Sequence, residues 1–92
     1  MGEMVEAGYL ATPAAGAGLG LIVLHESWGL VPHIKDVCDR FAAEGFTALA
    51  PDLFHGVTTK DGDEATRLLA TLDFDHAARD MSAAVDFLDG SD

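Results

Sequence analysis

The fold is decided by residues 19–52, which read LGLIVLHESWGLVPHIKDVCDRFAAEGFTALAPD. Two nearly continuous apolar runs, residues 19–24 and 46–50, bracket this segment, and each is typical of a short strand buried on both faces of a parallel sheet. Between them, apolar side chains recur at the spacing of one helix face: Ile34, Val37, Cys38, Phe41 and Ala42. The order strand, helix, strand predicts a βαβ unit in which Gly45 closes the helix.

Weaker patterns flank this unit. Residues 7–12 alternate loosely and predict an edge strand that ends at Pro13. Further along, Asp63 is expected to cap a helix, and Asp73 or Asp75 to cap a last helix that ends near Gly90. The apolar positions of the first of these helices are Ala65, Leu68, Leu69 and Leu72, and those of the second are Ala78, Met81, Val85 and Leu88.

Together these elements predict an α/β fold with a mostly parallel sheet and flanking helices. Residues 1–92 form a single domain, or the N-terminal part of one, without an internal boundary. Two or three parallel strands leave open sheet edges, and parallel sheets normally contain several strands covered on both faces. We therefore expect the fold to be incomplete as it stands, the front part of a larger α/β domain.

Charge and composition exclude several classes of function. The chain has 92 residues, with 5 Lys and Arg against 16 Asp and Glu, for a net charge of −11. Its 49% hydrophobic content is typical of a globular chain rather than an acidic disordered one. Scattered cations among excess carboxylates argue against nucleic acid and anionic membranes as partners. The acidic N-terminus and the single cysteine, which excludes an intrachain disulfide, make a cytoplasmic location the expectation.

Several apparent catalytic motifs fail on inspection. Ser27 is more consistent with a loop residue than with a nucleophile, because His25 stands where a G-x-S-x-G elbow needs glycine. The zinc motif H-E-x-x-H fails because position 29 is glycine. Cys38 falls in mid-helix on the apolar face and is predicted to be a structural cysteine. The remaining histidines are His33, His55 and His76, which are 22 and 21 residues apart. This is not the spacing of metal ligands, so the sequence predicts neither a metal nor a cofactor.

The loop after the first apolar run is the best candidate for chemistry, because open α/β sheets bind ligands beyond the carboxyl ends of their strands. It contains His25, Glu26, Ser27 and Trp28. Desolvation beside an indole can raise the pKa of a carboxyl such as Glu26, and loop N–H groups can face an oxyanion. The alternative is a polar loop with Trp28 packed on the core. Asp52, which follows the second run, is predicted to cap a turn.

Five segments of the chain resemble one enzyme family. They are LIVLHESWGL (21–30), PHI (32–34), DVCDR (36–40), AAEGF (42–46) and ALAPDLF (48–54). In this order they closely resemble the N-terminal part of the dienelactone hydrolase family, and with the following helices the resemblance covers nearly the whole chain. It implies an α/β-hydrolase fold and cofactor-independent cleavage of a small-molecule lactone or ester. The family's triad is a nucleophile, usually cysteine, with His and Asp.

The resemblance assigns roles to four residues. Glu26 matches the family's loop glutamate, which holds or deprotonates the resting thiol. The backbone N–H of Ser27 corresponds to an oxyanion-hole donor, and Trp28 to a residue that lines the substrate pocket. Arg67 is a candidate contact for a substrate carboxylate, and the alternative is an exposed helix arginine near Glu64.

The nucleophile half of such a site has no counterpart in the 92 residues, which contain neither G-x-C-x-G nor G-x-S-x-G. In the family order, the elbow and the later Asp and His come after position 92. One hypothesis is therefore that the chain is the N-terminal portion of a dienelactone-hydrolase-like enzyme, with the remaining C-terminal part of the same fold as its partner. The other is a non-catalytic α/β module whose open sheet edges pair in a homo-oligomer.

Overall fold

The computed structural model describes residues 2–16 and 18–90. Within them, four strands form one sheet in the order β1-β2-β4-β3, and three helices accompany it. The strands are β1 (Gly2–Val5), β2 (Gly8–Ala11), β3 (Gly20–Ile22) and β4 (Thr47–Ala50). The helices are α1 (Pro32–Ala43), α2 (Gly62–Ala70) and α3 (Phe74–Gly90). The α/β class is confirmed, and β3-α1-β4 forms the predicted parallel unit.

The prediction of a mostly parallel sheet is wrong. β1 pairs with β2, and β2 with β4, in antiparallel orientation. Val5 lies opposite Gly8, so a two-residue loop joins β1 to β2, and such a loop can connect only antiparallel strands. Gly8 has φ +141°, and a Cβ there would overlap the Ala50 carbonyl, so this turn requires glycine. The pattern of residues 7–12 predicted an edge strand, but β1 covers β2 and makes it internal.

Helix α1 begins and ends as its sequence dictates. Pro32 occupies the first turn, where its missing N–H costs no hydrogen bond. At the other end, the N–H of Phe46 donates to the Phe41 carbonyl at 3.1 Å, and that of Gly45 to the Ala42 carbonyl at 3.0 Å. The φ of +99° at Gly45 permits this Schellman closure, and the Phe41 and Phe46 rings pack edge to face across it.

The main core lies between α1 and the sheet. Ile34, Cys38 and Ala42 are buried on the α1 face, as predicted, against Ala48 and Ala50 of β4. A hydrogen bond of 2.8 Å from the hydroxyl of Tyr9 on β2 to Oδ1 of Asp39 fastens the helix to the sheet. Strand alternation directs Leu49 to the opposite face, where α3 packs on β3 and β4.

The two apolar runs behave differently. Every residue of β4 is buried, which confirms the predicted buried strand for residues 47–50, whereas Phe46 precedes the strand and is half-buried. β3 is only half-buried because it has a single neighbour in the sheet, so its predicted burial on both faces is wrong. Leu19 and Leu24, which flank β3, are 79% and 53% exposed. The edge beside β3 is therefore an apolar surface that the described residues leave open.

Helices α2 and α3 start at aspartates, but α2 starts earlier than predicted. Asp61, not Asp63, caps α2, and its Oδ1 accepts the N–H of Asp63 at 3.0 Å. Asp73 accepts the N–H groups of residues 75 and 76, as one of the two predicted caps of α3. The buried face of α3 is centred on Ala77 and Ala84, whereas the predicted Ala78 and Val85 are exposed. Alanines occupy the buried face because their small side chains allow the helix to approach the sheet closely.

Among residues 2–16 and 18–90, no helix combines the length and the hydrophobicity that a membrane span requires.

Candidate active site

The connection from β3 to α1, residues 23–31, carries the predicted loop at the carboxyl edge of the parallel pair. The N–H of Gly29 donates to the Glu26 carbonyl at 3.1 Å, which closes a tight turn around Ser27 and Trp28. Gly29 is buried with φ +88°, and a Cβ there would overlap the Val57 carbonyl oxygen. The glycine in H-E-x-x-G is therefore required both by the backbone conformation and by the close approach of residues 57 and 58.

His25 joins this connection to the one after β4. Its side chain is 2% exposed, and its Nε2 accepts the backbone N–H of Leu53 at 3.0 Å. Because Nε2 is the acceptor, the ring proton is on Nδ1, which donates to the Glu26 carbonyl at 2.8 Å. The ring also packs edge-on against Phe54, with centroids 4.9 Å apart. One neutral imidazole thus fixes the backbone of Glu26 relative to the loop after β4.

Asp52 organises that second loop. Its Oδ2 accepts the N–H of Gly56 at 2.7 Å, and its Oδ1 accepts the N–H of Phe54 at 3.2 Å. The same Oδ1 lies 4.0 Å from His25 Nε2, which is already occupied by the Leu53 N–H. Asp52 is therefore the turn cap that its sequence position indicated.

The three predicted loop residues differ in their surroundings. Glu26 is exposed, so the described residues do not supply the desolvation expected for its carboxylate. Ser27 is half-buried, and among residues 2–16 and 18–90 nothing accepts a hydrogen bond from its backbone N–H. Trp28 is 38% exposed and its carbonyl accepts the N–H of Thr59 at 3.1 Å. Its side chain lies over a shallow surface beside Val31, Pro32, His33 and Lys60.

Arg67 lies on a different element from this loop. It lies on the exposed side of α2, where its carbonyl accepts the N–H of Thr71 at 2.9 Å. In the part of the chain that the structure describes, no hydrogen bond or ion pair joins its guanidinium to another residue. The structure thus gathers Glu26, Ser27 and Trp28 in one turn but does not bring Arg67 to them.

Cys38 lacks the properties of a nucleophile. The side chain is fully buried between α1 and the sheet, and burial, followed by the charge of Asp39, raises the pKa of its thiol to about 11. A reactive cysteine needs the opposite, an accessible thiol whose pKa is lowered. The structural role predicted for Cys38 is confirmed.

A second group of potential ligand side chains escaped the sequence analysis. His55 and His76 are 21 residues apart and show no ligand spacing, yet the fold stacks their rings at 4.7 Å and places both beside Asp80. The only local signal was the separation of four residues between His76 and Asp80, which puts them on one side of a helix. The contact with His55 depends on how α3 packs beside the loop after β4.

Comparison with known protein families shows where this chain belongs. The model of the dienelactone hydrolase family matches residues 7–91. The chain belongs to the dienelactone hydrolase family.

Individual relatives extend over most of the chain. Protein usf of Aquifex pyrophilus is 43% identical over 102 aligned residues, covering 96% of this chain and 44% of that protein. Two others share the name "Putative carboxymethylenebutenolidase". The one from Aquifex aeolicus is 38% identical over 96% of this chain and 44% of its own length. The one from Saccharolobus solfataricus is 52% identical over 50% of this chain and 18% of its own length. The chain thus spans less than half the length of these relatives.

Proposed function

We propose that the chain supplies the oxyanion-loop part of a hydrolase that cleaves a lactone or carboxylic ester. The observation that carries the proposal is the family match over residues 7–91, in which the H-E-S-W-G loop follows a strand parallel to the central strand. The relatives named carboxymethylenebutenolidase favour a lactone as the substrate class. The nucleophile, His and Asp would come from polypeptide outside these 92 residues, with which this chain completes an α/β-hydrolase fold.

In this proposal, Glu26 holds or deprotonates the resting nucleophile. Two features of the loop support that role. The Glu26 carbonyl oxygen accepts two hydrogen bonds, one from Nδ1 of His25 and one from the N–H of Gly29, and these fix the Glu26 backbone. Its exposed carboxylate accepts no hydrogen bond among residues 2–16 and 18–90, so both oxygens are available to a thiol brought by the rest of the fold.

Ser27 would donate its backbone N–H to the oxyanion that forms when the nucleophile attacks the carbonyl carbon. A rigid donor without another acceptor is what this step needs, because a preorganised dipole does not have to reorient as charge develops. The tight turn at Gly29 and the half-burial of Ser27 support this role. Trp28, directly after the donor, would line the acyl pocket. Arg67 would contact a substrate carboxylate only if the remaining fold brings the substrate to α2.

The test is a lactone and ester hydrolysis assay on the complete polypeptide. Glu26→Gln keeps the size of the side chain and removes its charge and basicity, so turnover should fall by about 100-fold or more, in the range expected for a positioned acid or base. Glu44→Gln is a matched control, since Glu44 is an exposed carboxylate at the end of α1. A Glu26→Gln rate within twofold of the parent rate would remove Glu26 from the mechanism.

A second candidate function is a non-catalytic module that self-associates through its sheet edge. The half-buried edge strand β3, with the exposed Leu19 and Leu24 beside it, favours this candidate. The intact mass under denaturing conditions and the mass of the native particle distinguish the two. A single 9.6 kDa polypeptide that forms a stable, inactive oligomer would favour self-association. A longer or second polypeptide with a nucleophile elbow would favour the hydrolase.

A further inference from the structure

Three metal-binding side chains converge beside the loop after β4, outside the turn that carries Glu26. Nε2 of His55 lies 2.8 Å from Oδ2 of Asp80, and Nε2 of His76 lies 3.9 Å from Oδ1 of the same carboxylate. One potential ligand atom from each of the three residues lies within 4.8 Å of the other two. We propose that His55, His76 and Asp80 form a binding site for a divalent transition-metal ion, with Zn²⁺ as the probe ion.

The donor set selects this class of ion. Two imidazole nitrogens and one carboxylate suit Zn²⁺ and its neighbours in the first transition row, whereas Mg²⁺ and Ca²⁺ prefer oxygen ligands. Ligands at about 2.1 Å from a tetrahedral Zn²⁺ are about 3.4 Å apart, so the ligand atoms are already close enough to share an ion. The two stacked rings must turn about their side-chain bonds so that both Nε2 lone pairs point at it. Three protein ligands leave one position for water.

Neighbouring groups fix the backbone beside the two histidines. Asp52 binds the N–H of Gly56, directly after His55, and His55 itself has φ +51° in the left-handed region. Asp73 accepts the N–H of His76 at 3.1 Å at the start of α3. Asp80 follows His76 by four residues on the same helix, and its side chain is 23% exposed. The histidine side chains are 54% and 53% exposed, so an ion from solution can reach them.

A hydrogen bond between His55 and Asp80 explains part of this geometry without a metal. It does not account for His76, whose Nε2 is beyond hydrogen-bond distance from Asp80 while its ring is nearly parallel to that of His55, at 21°. Helical spacing already places His76 beside Asp80, and a shared ion would give both imidazoles and the carboxylate a common partner. Bound there, it would link the loop after β4 to α3 and stabilise the folded state by mass action.

The experiment is a Zn²⁺ titration of the purified, tag-free full chain by calorimetry, together with thermal unfolding. We expect one ion per chain and a rise in Tm of about 10 °C or more at a Zn²⁺ concentration 100 times the Kd.

Three variants each remove one proposed ligand: His55→Ala, His76→Ala and Asp80→Asn. Each should weaken binding by at least about tenfold, since loss of even an outer partner of a ligand has that effect. His33→Ala removes an exposed histidine of α1 and should bind Zn²⁺ like the parent. Mg²⁺ at the same concentrations should change neither the heat nor the Tm.

A second measurement needs no variant and so does not depend on whether a variant folds. In ¹⁵N spectra of the histidine rings, Zn²⁺ should shift the Nε2 resonances of His55 and His76 together, in proportion to occupancy, and leave those of His33 unchanged. Absence of saturable binding, retention of parent affinity in all three variants, or equal shifts at His33 would each overturn the proposal.

Discussion

The Nε2 atom of His25 accepts the backbone N–H of Leu53 at 3.0 Å, a contact between residues 28 positions apart. The acceptor role leaves the ring proton on Nδ1, which donates to the Glu26 carbonyl. Through this ring, the loop after β4 sets the position of the backbone that bears Glu26. The histidine of H-E-x-x-G therefore positions the candidate site through two backbone groups, the carbonyl of Glu26 and the N–H of Leu53.

His25→Phe should lower the free energy of unfolding by about 1–3 kcal/mol. Phenylalanine keeps a ring against Phe54 but leaves the part-buried Leu53 N–H without its acceptor, and an unsatisfied donor of this kind costs up to about this much. Urea unfolding measures the change. His33→Phe, at an exposed position of α1, serves as the control and should alter stability by less than about 0.5 kcal/mol. Equal stabilities for His25→Phe and the parent would contradict the inferred role of the ring.

The central βαβ unit could be predicted because its signals are local. The uninterrupted apolar run of β4, the helical spacing around Cys38 and the glycine at position 45 each act within a few residues. The antiparallel pairings could not be predicted in the same way. β1 contains Glu3 and has half-exposed ends, and whether β2 runs with or against β4 depends on a pairing between residues about 40 positions apart.

The candidate site was predictable to the same extent. A loop after a buried strand could be placed at the carboxyl edge of the sheet. Its four consecutive residues, 25–28, must lie close together because they are neighbours in the chain. The exposure of Glu26 and the separation of Arg67 from the loop depend on tertiary packing, as does the meeting of His55 with His76. A pattern of spacing along one chain carries no information about such contacts.

Asp52→Ala should loosen the loop after β4. Its carboxylate accepts two backbone N–H groups, those of Phe54 and Gly56, and removing the cap should cost about 1–2 kcal/mol of folding free energy. The increase in hydrogen exchange should be larger at the Gly56 amide than at the Phe54 amide, because Gly56 is exposed and Phe54 is buried. Asp63→Ala is a matched control, since Asp63 is exposed and does not cap α2. Unchanged exchange at Gly56 would show that other contacts hold the loop.

Gly29→Ala should destabilise the protein by about 1–3 kcal/mol. The residue has φ +88°, which alanine adopts only with strain, and the new methyl group would overlap the Val57 carbonyl. Gly45→Ala separates the two causes, because Gly45 has φ +99° but open space around its Cβ position. Thermal unfolding should therefore show a larger loss for Gly29→Ala. Equal losses at both positions would attribute the whole effect to backbone strain.

Cys38 should make the protein less stable as the pH rises above 9. Burial and the charge of Asp39 raise the pKa of its thiol from 9.0 to about 11, so the unfolded chain releases this proton at a lower pH than the folded one. The stabilisation is complete below pH 9 and is lost as the pH rises toward 11, by an amount on the order of 2 kcal/mol.

Urea unfolding of the parent and of Cys38→Ala between pH 9 and 11 measures this loss of stability. Tyr9, whose pKa is also raised by burial and by its bond to Asp39, titrates in both proteins, so the difference between the two curves reports Cys38 together with its smaller electrostatic effect on Tyr9. The advantage of the parent over Cys38→Ala should shrink between pH 9 and 11, and a constant difference would contradict the raised pKa.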